Sequence, residues 1–319
     1  MSPKTVAAIA RLREQRILSD AQADAFGRVA RGGLLSIRAE LRLILYAGVL
    51  LLTSGVGVFL EENHDRIGPA AIAAVIGAAA AACLWYAARR SPPFTWGEAA
   101  SPHVAADYVL VLSMLLFGAD LAYAESQFKL LGPHWSWHLL IVSIVYLVVA
   151  YRFDSRAVLT LALTSFAAWR GVSVAASFDE AEHAIGRIRG NAIAVGILYV
   201  ALGIVTARAR RKAHFEPVWA GAGALLVFGG ILSGVFGDSE WPAWELALVT
   251  LGAAALWVCY RLRRPFEFAI ATAAIYLGGL RLLDVVVRGG SGGMFFLALW
   301  SGAALVFLIA STRRIRRSA

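Results

Sequence analysis

Charge is the first thing this chain is short of. Only 16% of its 319 residues are Asp, Glu, Lys or Arg, against about 25% in a soluble domain. That shortfall excludes an ordinary water-soluble domain, whose surface is hydrated through its charges. Cysteine is scarce too. Cys83 and Cys259 each sit near the end of an apolar block, just before arginines, which argues against a disulfide framework. The loops that carry common catalytic motifs are missing. There is no Walker phosphate loop, no serine nucleophile elbow, no paired CxxC and no HExxH, so no motif points to an enzyme or implies a cofactor. Gly55-Val56-Gly57 and Gly221-Ala222-Gly223 lie inside apolar runs and read as close helix packing, not as phosphate cradles.

Apolar sequence is abundant. Hydrophobic residues make up 59% of the chain, and mean hydropathy is +0.68. Runs of them fall at about 41–60, 68–88, 104–124, 138–151, 156–176, 190–207, 217–236, 242–260, 266–287 and 292–311. Most are long enough to cross the hydrocarbon core as a helix, which takes about 20 residues. The expected fold is all-α: a polytopic transmembrane helical bundle of about ten spans over 41–311. A short cytoplasmic helical hairpin over 1–40 would precede it, and a basic cytoplasmic tail, 312–319, would follow. The first run begins too late and is too long for the core of a signal peptide, so none is expected. The fourth run is short, and the fifth contains Arg170.

The basic residues test this topology. With the N-terminus in the cytoplasm, the inner segments collect most of the 30 Lys and Arg residues, including Arg89-Arg90, Arg152, Arg156, Arg208, Arg210, Arg211, Lys212, Arg261, Arg263 and Arg264. The outer segments hold only Arg66, Lys129, Arg187, Arg189 and Arg288. Cytoplasmic loops favour positive charge, so both termini are expected inside. The net charge of +9 then needs no nucleic-acid partner. It is placed to meet anionic headgroups at the inner face of the bilayer. Trp135, Trp137, Trp241 and Trp244 would mark the outer interface, and Trp85, Trp96, Trp219 and Trp257 the inner one, where amphipathic rings concentrate.

In the lead-in, Thr5 to Gln15 suits a helix. Ser19 with Gln22 three residues later suits a capping box opening a second helix, which would stop at Gly32-Gly33. This hairpin either steadies the first span or docks a cytoplasmic protein. A repeat is also suggested. Tyr46-Ala47-Gly48 pairs with Trp219-Ala220-Gly221, and Leu84-Trp85 with Leu256-Trp257. Asp107-Tyr108 with Gly118 pairs with Glu267-Phe268 with Gly278. Spans one to three would then correspond to seven to nine in the same orientation, or the matches are residues common to membrane helices.

Charges inside spans are the candidate site. Asp120, Arg170, Glu245, Arg281 and Asp284 fall in the outer halves of their runs, where each charge is costly unless paired or hydrated. Asp120 and Arg170 can pair between spans, and Arg281 with Asp284 three residues on. These residues either form structural ion pairs or line a polar cavity for a small solute. Asp107 and Glu267, at the inner starts of their spans, read as complements to helix dipoles. His134 and His138, at helical i,i+4 spacing, are weak metal candidates beside the wet-surface alternative.

The stretch from Leu12 to Phe26, ending ILSDAQADAF, followed by Glu40–Asn63, resembles the bacterial predicted membrane protein family catalogued as domain of unknown function 2157. Leu18 and Ser19 hold its lead-in turn, and Gly48, Gly55 and Gly57 its glycine-rich first span. The resemblance implies a multi-pass protein of the bacterial inner membrane and brings no catalytic residues. Two roles follow: transport or sensing of a small solute through the outer polar cavity, or a non-catalytic scaffold docking a partner through residues 1–40.

Overall fold

A computed structural model describes residues 68–99, 104–175, 181–236, 243–262 and 264–287, with scattered positions in 11–26 and 44–58 and residues 300–302. Most of the lead-in, the first and last apolar runs, and all of the tail 312–319 lie outside the described residues. Within the lead-in the expected cap is present. Gln22 N donates to Ser19 Oγ at 3.3 Å, and Ser19 N donates to Gln22 Oε1 at 3.0 Å.

Eight long helices form the described body: α1 (Pro69–Arg90), α2 (Val104–Phe128), α3 (Trp137–Phe153), α4 (Arg156–Ala175), α5 (Ala181–Arg208), α6 (Glu216–Val235), α7 (Ala243–Leu262) and α8 (Pro265–Val287). Their ends follow local chemistry. Gly68 takes a φ of +83° and Pro69 opens α1, a conformation and a ring that suit the start of a helix. Asp154 stops α3 in the left-handed region, with φ 61°. One residue later Ser155 Oγ accepts from Val158 N at 3.3 Å and caps α4. α5 starts well before the expected 190, because its first turns carry Arg187 and Arg189. Hydropathy undervalues such turns. Here Arg189 is satisfied by the next helix, donating to Ser233 Oγ at 3.2 Å and to Ser233 O at 3.1 Å.

The helices pack as hairpins: α1 on α2, α3 on α4, α5 on α6, and α7 on α8. These pairs then join side by side, α2 meeting α3, α4 meeting α5 and α6, and α6 meeting α7 and α8. Hydroxyls staple neighbours through backbone carbonyls, as polar groups do between membrane helices. Ser113 of α2 donates to Ala80 O at 2.7 Å, Ser143 of α3 to Ala162 O at 3.0 Å, and Tyr199 of α5 to Leu163 O at 2.7 Å. Met114, Tyr146, Leu159, Tyr199 and Trp219 belong to one buried core; Phe228, Ile231 and Leu248 belong to a second, spanning α6 to α8.

All four hairpin turns lie at one end. Ala99, after α1, donates its N–H to Asp154 in the α3–α4 turn at 2.5 Å. Lys212, in the α5–α6 turn, donates its N–H to Trp96 O at 2.8 Å. Arg264, between α7 and α8, pairs with Glu216 at the start of α6. This end carries Arg89, Arg90, Arg152, Arg156, Arg208 and Arg211. The sidedness of charge expected from the sequence is therefore built into the packing of the described helices.

Their outward faces are apolar. Val75 is 65% exposed, Val148 62% and Val205 60%, an arrangement that water does not tolerate over a whole molecule. Seven of these helices are long and apolar enough to cross a membrane; the shorter α3 has 17 residues, or about 25 Å at 1.5 Å per residue.

The residues matched in the suggested repeat can be compared where they are described. Arg89 stacks over Trp85 at 4.1 Å and Arg261 over Trp257 at 4.3 Å, and Tyr108 and Phe268 are both buried. The glycines differ, however. Gly118 of α2 faces Tyr146 of α3, whereas Gly278 of α8 faces Val249 of its own hairpin partner α7.

Candidate functional site

The outer polar candidates whose contacts are described meet different helices. Arg170 donates through Nε to Asn191 Oδ1 at 3.1 Å, so its partner is on α5 and not Asp120. Asp120 faces α1, where a Cβ on Gly77 would lie 2.9 Å from its Oδ2; its Oδ1 has no hydrogen-bond partner. Glu245 is buried on α7. Arg281 on α8 reaches the end of α6, with Nη2 3.4 Å from Val235 O and the guanidinium 5.6 Å from the Phe236 ring. The side chain of Asp284 lies outside the described residues, so its pairing with Arg281 does too. Arg170 and Arg189 thus link consecutive helices, and Arg281 links α8 to α6, at the end opposite the turns. Each of these guanidinium groups meets an oxygen on a neighbouring helix.

His134 and His138 do not share a helical face. Gly132 and Pro133 open a short 3-10 turn, Gly132–His134, and α3 begins only at Trp137. Each imidazole stacks on an indole, His134 on Trp137 and His138 on Trp135. Among the described residues no group of three or more His, Cys, Asp or Glu comes together to hold a metal.

The arginine-rich half holds what the sequence did not reveal. A cavity of about 620 Å³ opens between α4, α6 and α8, with Tyr199 of α5 at its back. Leu163, Ala167, Val218, Leu225 and Phe266 make its wall largely apolar, and its size falls within the roughly 300–1,000 Å³ of small-molecule sites. The polar residues on that wall are few. Thr160 and Thr164 turn their hydroxyls back to their own helix, onto Arg156 O at 3.0 Å and Thr160 O at 2.9 Å. Arg264 reaches Glu216. Glu267, in the first turn of α8, is 7% exposed, and its Oε1 has no hydrogen-bond partner. The sequence marked Glu267 only as a complement to the helix dipole. Its place on a cavity wall depends on how α8 is rotated against α6.

A second polar cluster ties the turns together. Asp154 is 6% exposed at its side chain and Lys212 1%; Lys212 Nζ lies 3.0 Å from Asp154 Oδ1. His214 Nε2 approaches the same oxygen at 2.5 Å, and Ala99 N–H occupies the other. Next to it, Ser155 Oγ donates to Asp107 Oδ1 at 2.7 Å. This gives Asp107, expected to complement a dipole, a side-chain partner as well. The cluster joins three turns that are far apart in sequence, and no local motif announces it.

Lipid is the solvent for which these outward faces are built, and the chain is a multi-pass helical membrane protein. Within that class, residues 10–159 match the family described as Predicted membrane protein (DUF2157). The match runs from the lead-in to the first turn of α4, well past the stretch that carries the resemblance in sequence. No curated protein and no solved structure matches the chain.

Proposed function

We propose that this protein binds a small amphipathic solute within the membrane, in order to move it or to sense it, and that it is not an enzyme. The cavity between α4, α6 and α8 is the observation that carries this reading: it is roomy and largely apolar, with Arg264 and Glu267 at the start of α8 as its charged lining residues. The solute site therefore belongs in the arginine-rich half and not among the outer charges. A single-tailed phospholipid added to the purified protein is expected to raise its thermal midpoint. Thr164→Trp, which puts an indole into the cavity from an exposed position on α4, is expected to weaken that binding about tenfold, a loss of about 1.4 kcal/mol. Unchanged affinity in this variant would rule the cavity out.

The proposed setting is the bacterial inner membrane, with ten spans and both termini in the cytoplasm. The gathering of the hairpin turns at the basic end supports it, since that end is the one the positive-inside rule keeps in the cytoplasm. Cysteines introduced at the exposed Lys129 and Arg211, with Cys83 and Cys259 replaced by alanine, are expected to react with an impermeant maleimide from opposite sides. Labelling from the same side would mean that α3, α4 and α5 do not all cross, and would overturn the ten-span count.

A further inference from the structure

We infer that the basic end carries a binding site for a phospholipid head with two phosphates, formed by Arg152 and Arg211 against the loop 92–98. This site stands apart from the cavity and does not depend on it. α1 ends at Arg90, and Pro92 and Pro93 cannot continue it. Two neighbouring turns then hold the loop. Ala99 N–H bonds Asp154 at 2.5 Å, Arg156 Nη2 donates to Glu98 Oε1 at 3.0 Å, and Lys212 N–H bonds Trp96 O at 2.8 Å. Held in this way, residues 93–98 stay exposed, and Phe94 packs edge-on against Trp96, with ring centroids 5.0 Å apart.

Charge around the loop is unbalanced. Its acid, Glu98, is taken by Arg156, and Asp154 behind it by Lys212. Two further guanidiniums reach the loop and meet no carboxylate. Arg152 Nη1 lies 3.5 Å from Pro92 O, and the Arg211 guanidinium lies over the Trp96 ring at 5.0 Å. Both side chains are exposed, and neither forms an ion pair. The residues that follow the loop, Ala100 to His103, carry no carboxylate to supply the balance. A guanidinium over an indole face keeps its N–H edge free, and that edge suits phosphate oxygens. The exposed rings select a lipid over a free anion. Phe94 and Trp96 stand beside the two guanidiniums, and the last turn of α1 lays Arg89 over Trp85 and Arg90 over Tyr86. Rings and arginines mixed at a helix end suit the headgroup layer, with carbon on one side and phosphate on the other. Arg152 and Arg211 meet the loop four residues apart, at most about 14 Å of chain. One head bearing two phosphates engages both arginines, where a single phosphate engages one.

Three probes test the site on the full chain in non-ionic detergent: cardiolipin, phosphatidylglycerol and inorganic pyrophosphate. Binding is followed by native mass spectrometry and by thermal midpoint. The wild type is expected to retain cardiolipin about fivefold better than phosphatidylglycerol, the scale of one added arginine contact at a membrane surface, and to show no shift with pyrophosphate. Arg211→Gln is expected to bring cardiolipin down to the level of phosphatidylglycerol. Arg261→Gln removes an exposed arginine that lies over Trp257, away from the loop, and is expected to leave the preference intact. Equal retention of the two lipids by the wild type would overturn the inference, whether or not any variant folds. A shift with pyrophosphate as large as that with cardiolipin would make this a site for a soluble anion. A preference that survives in both Arg152→Gln and Arg211→Gln would belong to the acyl chains and overturn the assignment. A loss in Arg261→Gln equal to that in Arg211→Gln would reduce the effect to the general charge of the basic end.

Discussion

Gly223→Leu is expected to eliminate most of the folded protein, a destabilisation of about 3 kcal/mol or more, at the upper end of what overpacking costs. The reason is the seam between α5 and α6. A Cβ on Gly223 would lie 2.6 Å from Gly196 O and 2.7 Å from Val200 Cγ2; a Cβ on Gly196 would lie 2.7 Å from Gly223 O. The two glycines face each other, and what they meet is backbone, which no rotamer change can move aside. In lipid no hydrophobic force draws helices together, so close packing of small residues carries the association. A single branched side chain here must push the helices apart. Gly229 provides the control. It lies on the same helix, is exposed, and has nothing within 4 Å of a built Cβ, so Gly229→Leu is expected to be silent. The fraction recovered as a monodisperse peak after detergent extraction, with its thermal midpoint, distinguishes the two. Equal recovery of Gly223→Leu and Gly229→Leu would contradict the seam.

The second large effect is expected at Asp154. Its side chain is 6% exposed and that of Lys212 1%, so removing one partner leaves the other buried and unpaired, a change that typically costs about 3–5 kcal/mol. Asp154→Asn is the informative variant. Asparagine tolerates the left-handed φ of 61° that alanine would strain, so the loss reports the charge and not the turn. Lys212→Met alone is expected to destabilise as well. The double variant Asp154→Asn with Lys212→Met is expected to be milder than the sum of the two, because it no longer buries a lone charge. Midpoints of detergent-induced unfolding for the four proteins complete the cycle. Additive losses would mean that the two side chains do not act as a pair.

The outer charges teach the reverse lesson. Asp120 and Arg170 were natural partners by depth, yet Arg170 bonds Asn191 on the adjacent α5. Depth along a helix is a sum over rise per residue and can be read from the chain. The azimuth of a side chain around its helix is set by packing. Glu267 illustrates the same gap, since its place in a first turn is legible but its exposure to a cavity is not. Asp154 and its partners were invisible for a further reason. Its contacts come from turns about sixty residues away on either side, and neither Asp154 nor Lys212 lies in an apolar run where a charge would stand out.

The chain by itself determined that this is a helical membrane protein, where α1 to α4 and α6 to α8 begin and end to within a few residues, and which ends of the helices carry the basic charge. These properties are sums along the sequence: apolar length against bilayer thickness, and positive charge counted per turn. Tertiary structure alone decided which polar groups meet, where the cavity opens, and that the hairpin turns are bonded into one basic end. Each of these depends on the rotation and close approach of neighbouring helices, which glycine-to-backbone contacts such as Gly196 on Gly223 set and no count along the chain contains.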